Sequence, residues 1–390
     1  MNVWPEVALE EVYAEGSRNG LTRPKSVRGS GYPMINMGEL FAHERIGGIE
    51  MERVQMSERE LAAFSVLKGD LLFARQSLVA AGAGKCSIIK AVAEPTTFES
   101  HLIRIRLDEH KADPSFFFYY FLSPIGKGNV QSLVMQVAAA GIRGSELAKL
   151  RVPLPPLPIQ RRIAGILSAY DELIENNQRR IRILEEMARS LYREWFVHFR
   201  YPGHESVPRT DSPLGAIPQG WEVKKLSDVL ELNYGKALKK EDRQDGEFPV
   251  YGSSGVIGHH DTQLVKGPGV IVGRKGNVGS VFWSDEDFFV IDTAYFVTAR
   301  LPLRFVFYDL QTKNFINSDA AVPGLSRHQA YSLETMVPPA SLLARFCQLV
   351  EGFEQQASVL RKQTANLRRT RDLLLPRLLS GQVALSEQAD

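Results

Sequence analysis

Apolar or small residues recur in alternating steps of four and three along residues 159–199, at Ile163, Leu167, Tyr170, Ile174, Ile181, Leu184, Ala188, Leu191 and Trp195. Polar Asn177 fills the one missing place, and neither Gly nor Pro interrupts the run after Gly165. That is the spacing of an a/d seam, and it predicts one long helix. At 1.5 Å per residue, roughly 40 residues make a rod of about 60 Å, too long to be covered by one small core. Such a rod requires a partner. Displacing the chain by 183 positions supplies it: Gly141 falls on Gly324, Leu150 on Leu333, Pro155 and Pro156 on Pro338 and Pro339, Arg162 on Arg345, Tyr170 on Phe353, Leu184 on Leu367 and Leu191 on Leu374. The second rod is expected over 341–381, with a seam of Phe346, Val350, Phe353, Ala357, Leu360, Thr364, Leu367, Arg371, Leu374 and Leu378.

A second displacement, of 217, lays Trp4, Leu9 and Val12 on Trp221, Leu226 and Val229, and the segment around Pro33 matches that around Pro249. The chain therefore reads as two copies of one unit, each a globular domain followed by a long helix. Within the first domain, 32–37, 71–74 and 101–107 read as strands and 114–122 as an aromatic-rich helix. A short helix over 56–64 opens with Ser57 as N-cap and Glu60 in the capping-box place. Residues 126–144 read as loop-rich, ending in Gly141-Ile142-Arg143-Gly144. The prolines of 153–158 predict a stiff extended linker into the first rod. In the second domain 248–258 reads as a strand and a Gly/Ser loop, 270–273 and 280–283 flank a loop at 274–277, and 288–300 reads as strand. Asp285-Glu286-Asp287 reads as a hairpin tip.

The expected fold class is thus α+β: two similar mixed α/β globular domains separated by two long antiparallel coiled-coil helices, in a pseudo-twofold internal repeat. The expected division is 1–152 for the first domain, 153–200 for the first rod, 201–216 for a Pro/Gly-rich linker, 217–337 for the second domain, and 338–390 for the second rod and a tail.

Composition narrows the function. The 390 residues suffice for two or three domains, and 44% hydrophobic content lets each bury a core. A net charge of +2 places any affinity for polyanions in local patches and not in the overall field. Cys86 and Cys347 stand in unrelated segments without metal spacing, which fits a reducing cytoplasm. The first residues lack a signal-peptide pattern, and no window approaches 18 uninterrupted apolar residues, so a soluble protein without a membrane partner is expected.

Catalytic chemistry has no motif to rest on. Gly82-Ala83-Gly84-Lys85 resembles part of a phosphate loop, but Val79 stands where the template needs glycine and Cys86 displaces Ser87, so a glycine turn between strands is the plainer reading. Gly273-Arg274-Lys275-Gly276 fails the same template. In His259-His260-Asp261 adjacent side chains diverge and no third ligand stands at a metal-site spacing. No nucleophile elbow, HExxH or dinucleotide fingerprint is present. No catalytic residue, cofactor or metal is assigned.

At the repeated junctions the likeness becomes specific. The run Gly-Ile-Arg-Gly-Ser-Glu-Leu-Ala-Lys-Leu-Arg-Val-Pro-Leu-Pro-Pro-Leu-Pro-Ile-Gln-Arg-Arg-Ile has a weaker copy over 324–346. The strand–loop pairs Lys-Gly-Asp-Leu-Leu-Phe-Ala-Arg at 68–75 and Lys-Gly-Pro-Gly-Val-Ile-Val-Gly-Arg-Lys-Gly at 266–276 accompany it. With Tyr-Pro-Met-Ile at 32–35 and the glycine-rich segment at 248–258, essentially the whole chain resembles the specificity subunit of type I restriction-modification systems. The second junction has Ser-Leu-Leu-Ala-Arg where that family usually carries a glutamine-containing turn, which Ile159-Gln160 preserves in the first copy.

The resemblance implies that the globular units are target recognition domains and the rods are spacer regions that dock two methyltransferase subunits and, through them, restriction subunits. The partner would be double-stranded DNA, read at a bipartite, asymmetric target because the two domains differ. Half-sites one helical turn apart, roughly 34 Å centre to centre, fall within the length of such a rod. Base reading rests on side chains capable of bidentate major-groove contacts. The candidates are Arg75, Gln76 and Arg143 in the first domain, and Ser253, Ser254, His259, Arg274, Lys275, Asn277 and Arg327 in the second. Arg75 and Arg274 end equivalent strands, which suits phosphate better than a base, and any one of these can equally be a solvated loop residue. The competing class is a coiled-coil adaptor that binds proteins only.

Overall fold

Both rods form, as helices Leu157–Tyr192 and Ala340–Leu379, in a computed structural model that describes residues 4–77, 82–136, 140–315 and 324–383. Pro158 occupies the first turn, where a missing N–H leaves no intrahelical bond unmade, so the extended linker expected over 153–158 ends before Leu157. Gln160 pins this start: its Nε2 donates to Pro155 O at 2.7 Å and its Oε1 accepts from Asp113 N at 2.8 Å. A single π turn, Arg193–Val197, follows the first helix, and Phe199 then leaves the helical path with φ 59°.

The chain divides into one unit of residues 1–177 with 363–390 and another of 178–362. In the first unit Ile163 and Leu167 share a core with Leu375, Leu378 and Leu379, while Arg371 donates to Asp171. These pairs set the helix segments antiparallel. The second unit repeats the arrangement. Arg361 donates to Glu185 at 2.7 Å, and the Phe346 ring lies 6.0, 6.2 and 4.9 Å from those of Tyr192, Trp195 and Phe196. The seam pattern thus locates the packed face, with Ile163, Leu167, Ile174, Ala188, Phe346, Val350, Ala357 and Leu360 buried on it.

The globular part of the first unit centres on a five-stranded sheet, in the order Tyr13–Asn19, Leu102–Leu107, Leu71–Ala74, Cys86–Ile89 and Arg45–Ile46. Helix Pro114–Leu122 caps it, starting on Asp113, whose side chain accepts from Phe116 N. Six consecutive aromatic residues, Phe116 to Phe121, are buried there and fill the space between sheet and long helix. The second unit carries the corresponding sheet, Leu230–Tyr234, Ala294–Ala299, Gly269–Gly273 and Val281–Ser284, with helix Leu303–Gln311 in the place of Pro114–Leu122.

A smaller three-stranded sheet accompanies each: Glu52–Val54, Arg28–Ile35 and Thr97–Phe98 in the first unit, and Gly255–His260, Phe248–Gly252 and Phe289–Val290 in the second. In both, the Pro-containing central strand pairs parallel with the third, Met34 opposite Thr97 and Val250 opposite Phe289. The duplication read from the sequence is therefore a duplication of strand pairing.

Three local expectations are corrected. Residues 126–144 are not mainly loop: helix Pro124–Gln131 occupies their start, Met135–Gln136 pairs with Ala140–Gly141, and residues 137–139 lie outside the described residues. Asp285-Glu286-Asp287 is no hairpin tip, because Val281–Ser284 and Phe289–Val290 belong to different sheets. The acidic side chains work at that crossover: Asp285 accepts from Trp283 Nε1 at 2.6 Å and Arg304 Nη2 at 3.1 Å, and Asp287 from Gly267 N at 2.9 Å. Finally, 248–258 is a complete hairpin and not a strand followed by a loop, with Gly252 opposite Gly255 and Ser253-Ser254 at the turn.

Candidate nucleic-acid interface

Two arginines mark the same place in the two sheets. Arg75 follows strand Leu71–Ala74; its N–H donates to His101 O at 2.7 Å, its carbonyl accepts from Ile142 N at 2.9 Å, and its Nη1 donates to Ser100 O at 3.4 Å. Arg274 follows Gly269–Gly273; its N–H donates to Thr293 O at 2.8 Å, its carbonyl accepts from Leu325 N at 2.8 Å, and its Nη1 donates to Asp292 O at 3.1 Å. Each arginine is thus held by the residue just before the neighbouring strand and by the start of the junction segment. Gln76 and Lys275 come next in each chain segment, and they pair across to Gly141 and Gly324 respectively. Gly141 lies where an added Cβ would come 3.0 Å from Arg75 O, so glycine admits the close approach of the two backbones.

Around this shared frame the side chains differ. In the second unit Tyr234, half exposed, stands opposite Tyr295 in the sheet register. The guanidinium of Arg327 lies 4.0 Å from the Tyr234 ring centroid and that of Arg274 lies 4.8 Å from it. Arg327 Nε is buried without a hydrogen-bond partner among the described residues, and the guanidinium lies against the ring face. Tyr295 donates to Leu325 O at 2.9 Å. Burial raises its hydroxyl above the ordinary value, Tyr234 adds to the shift, and Arg274 opposes it.

In the first unit the register partner of Ile103, at the place of Tyr234, is Asn19. Where Arg327 opens helix Arg327–Ser332, Gly144 opens helix Gly144–Ala148. A Cβ on Gly144 would meet Ser17 Oγ at 2.7 Å, so a larger residue there requires the Ser17 hydroxyl to turn away.

Of the residues singled out in the sequence, the fold brings Arg274, Lys275, Asn277, Ser253 and Arg327 to one neighbourhood. Ser280 Oγ lies 2.6 Å from Ser253 O and 2.9 Å from Asn277 O, within donating distance of each, which links the hairpin turn to the 274–277 loop. Lys275 Nζ lies 3.5 Å from Asp292 Oδ2. Ser254 is exposed at the hairpin turn, and His259 is exposed on the outer strand opposite Pro249; neither is drawn into the arginine cluster. In the first unit Arg75 and Gln76 are joined to the junction, while exposed Arg143 is the cap residue of its short helix, its carbonyl accepting from Glu146 N and Leu147 N.

Sequence reading passed over Tyr234, Asn19 and Asp292. Tyr234 ends an alternating Leu-Glu-Leu-Asn-Tyr strand, which was its only signal. The arrangement can present two or three cations and adjacent amide groups to a polyanion, with planar guanidinium forks pre-oriented on an aromatic face.

A family model for the type I restriction modification DNA specificity domain matches residues 4–186 and 218–341. This chain belongs to that family. Among specificity subunits it is 24% identical over 286 residues to that of the type I restriction enzyme MjaIX of Methanocaldococcus jannaschii, covering 63% of this chain and 63% of the relative. It is 28% identical over 182 residues to that of EcoKI of Escherichia coli, covering 45% and 38% respectively. The matches span less than two thirds of these relatives' length. The crystal structure of a type I system S subunit from M. genitalium shares the fold at TM-score 0.62 and 18% identity, covering 97% of this chain and 96% of that one.

The two matched segments contain the two arginine frames, so both copies fall within the family's DNA specificity domain. Among the described residues, no three His, Cys, Asp or Glu gather as a metal site, and no helix is long and apolar enough to cross a membrane. The glycine turn at Gly82–Lys85 is built for packing: Gly84, at φ 79°, lies where a Cβ would come 2.4 Å from Val130 Cγ1, and Lys85 Nζ donates to Phe41 O. Val79 lies outside the described residues. His260 Nδ1 accepts from Gln244 N at 3.2 Å.

Proposed function

We propose that this chain is the DNA-reading subunit of a type I restriction-modification complex, recognising a bipartite, asymmetric target while other chains modify and cut. In this reading 1–152 and 217–337 are the target recognition domains, 153–200 and 338–390 the spacer helices, and 201–216 the linker. The spacer helices dock two methyltransferase subunits, which bring the restriction subunits, and the chain itself holds no cofactor and catalyses nothing. It works in the cytoplasm, where the DNA is. Arg75, Gln76 and Arg143 meet one half-site; Ser253, Ser254, His259, Arg274, Lys275, Asn277 and Arg327 meet the other. Arg75 and Arg274 hold phosphate, and the side chains beside them read bases. The length of the paired helices sets the spacing of the half-sites.

One observation carries this reading. An arginine held by equivalent main-chain groups recurs in both copies, while its neighbours change from Asn19 and Gly144 to Tyr234 and Arg327. A repeated anchor with unrepeated surroundings is what two half-sites of different sequence require. Co-expression with a type I modification subunit, followed by genome-wide mapping of modified adenines, tests it. The expected result is one split, non-palindromic motif, and DNA binding that falls steeply as salt rises. Modification without a motif, or binding indifferent to salt, returns the chain to the role of a protein-only adaptor.

A further inference from the structure

Each globular part is bound to its long helices through a tyrosine hydroxyl that the sequence does not single out. In the first unit Tyr119, on helix Pro114–Leu122, donates to Asp171 Oδ2 at 2.6 Å. In the second, Tyr308, on helix Leu303–Gln311, donates to Glu354 Oε1 at 3.1 Å. These are repeat-equivalent contacts. A displacement of 189 relates the two nine-residue helices and takes Tyr119 to Tyr308, and the displacement of 183 that relates the rods takes Asp171 to Glu354.

Each anchor engages both rods. Asp171, on the first, also accepts from Arg371 on the second through Oδ1, and Arg45 Nη1 lies 3.7 Å from Oδ2. Glu354, on the second rod, is joined one residue further along the capping helix by Asp309, which accepts from Tyr192 on the first rod at 2.9 Å. Tyr119 and Tyr308 are almost wholly buried, and burial with the adjacent carboxylate raises both hydroxyls above their ordinary range, so each remains a donor. The phenylalanine rings packed against them carry no donor or acceptor of their own. A charge-accepting hydrogen bond has direction, and it fixes the rotation of the capping helix against the rod.

We infer that Tyr119–Asp171 and Tyr308–Glu354 are positioning pairs that set the angle of each recognition domain on its spacer helix and so restrict the subunit to one half-site spacing. This rests on the bipartite reading above. The test uses the full chain assembled with its modification subunits and a DNA library in which both half-sites are constant and the spacer is one base pair shorter, native or one longer. Tyr119→Phe and Tyr308→Phe keep the rings and remove only the hydroxyls.

Relative modification at the altered spacers should rise roughly tenfold in either variant, the scale of one hydrogen bond to a charged group, with the bases preferred in each half-site unchanged. Glu354→Gln keeps a carbonyl acceptor for Tyr308 and should retain the wild-type spacing preference. Spacing selectivity unaltered in both Phe variants, or altered half-site bases, overturns the positioning role. A wild-type complex that shows no split motif overturns the underlying reading instead. Should either Phe variant lose its melting transition, the pair is a folding contact and the inference fails for that domain.

Discussion

The two arginine frames share a backbone and differ in what they have been given to hold. In the second copy Tyr234 offers its face to two guanidiniums, at 4.0 and 4.8 Å, and Arg327 has room because the junction helix begins with it. In the first copy the junction helix begins with Gly144, which has no side chain to stack, and Asn19 stands in place of the ring. A cation stacked on an aromatic ring is oriented before any ligand arrives; one whose guanidinium bonds Ser100 O at 3.4 Å is less constrained. The contrast teaches that duplication preserved the device that positions a positive charge at a strand end and left the adjacent surface free to diverge. The cores diverged as well. Phe346 sits where the 183-residue repeat places Ile163 in the first unit, and it is the hub of an aromatic cluster with Tyr192, Trp195, Phe196 and Tyr308.

Removing that hub should produce the largest effect. Phe346 is fully buried, and Phe346→Ala should lower the stability of the second unit by about 3–5 kcal/mol, the usual range for a large aromatic lost from a core. Trp195, Trp221 and Trp283 all belong to this unit, so the urea transition of tryptophan fluorescence reports it chiefly. A shift below about 1 kcal/mol would mean that the cavity collapses freely, and that the aromatic hub is not what distinguishes the two cores.

The middle effect bears on the frames themselves. Tyr234→Asn gives the second copy the residue that the first has in its place. Losing the ring face should weaken binding at the second half-site roughly fivefold, since an exposed cation–π contact is worth about 0.5–1 kcal/mol. Tyr234→Phe should cost little. Titrations with DNA altered in one half-site at a time will separate the copies. An equal loss at both halves, or a Phe variant as impaired as the Asn variant, removes ring stacking from the account.

What could be read in advance follows from how local each signal is. The rods were legible because the four-three spacing of Ile163, Leu167 and Tyr170, or of Phe346, Val350 and Phe353, is set within a few turns of one helix. The Ser57–Glu60 capping box was legible for the same reason, and Ser57 is the N-cap of helix Glu58–Phe64. Arg75 and Arg274 could be paired because each closes an apolar strand after a Lys-Gly turn. Tyr234 could not be joined to Arg327, because the link depends on strand Leu230–Tyr234 lying beside Ala294–Ala299 in a register that no local pattern states. Asp285 to Asp287 misled because an acidic triplet between strands looks the same whether the strands pair with each other or join two sheets.

The smallest expected effect separates the copies by acid. Glu60 in the first domain accepts from Ser57 N at 3.0 Å and from Arg23 Nη2 at 2.6 Å. The Ser57 main-chain bond, then Arg23 and the Ser57 hydroxyl, hold its carboxyl down at about 2. At the corresponding point, between Gly255–His260 and Gly269–Gly273, the second domain has no helix among the described residues and so no capping box. A carboxyl depressed in the folded state stabilises it fully above its ordinary value, and that contribution is lost as pH falls toward the folded value. The first domain should therefore lose stability between about pH 4.5 and pH 2 through this group, and Glu60→Gln should flatten that part of its profile. Hydrogen exchange of the Glu58–Phe64 amides, followed across the window, reads this helix alone. Because Glu60 is solvent-facing the change will be modest, and added salt should shrink the Arg23 share of it while leaving the Ser57 share. A wild-type helix with flat protection from pH 5 to pH 2 would show that the capping box does not hold the ion pair in solution.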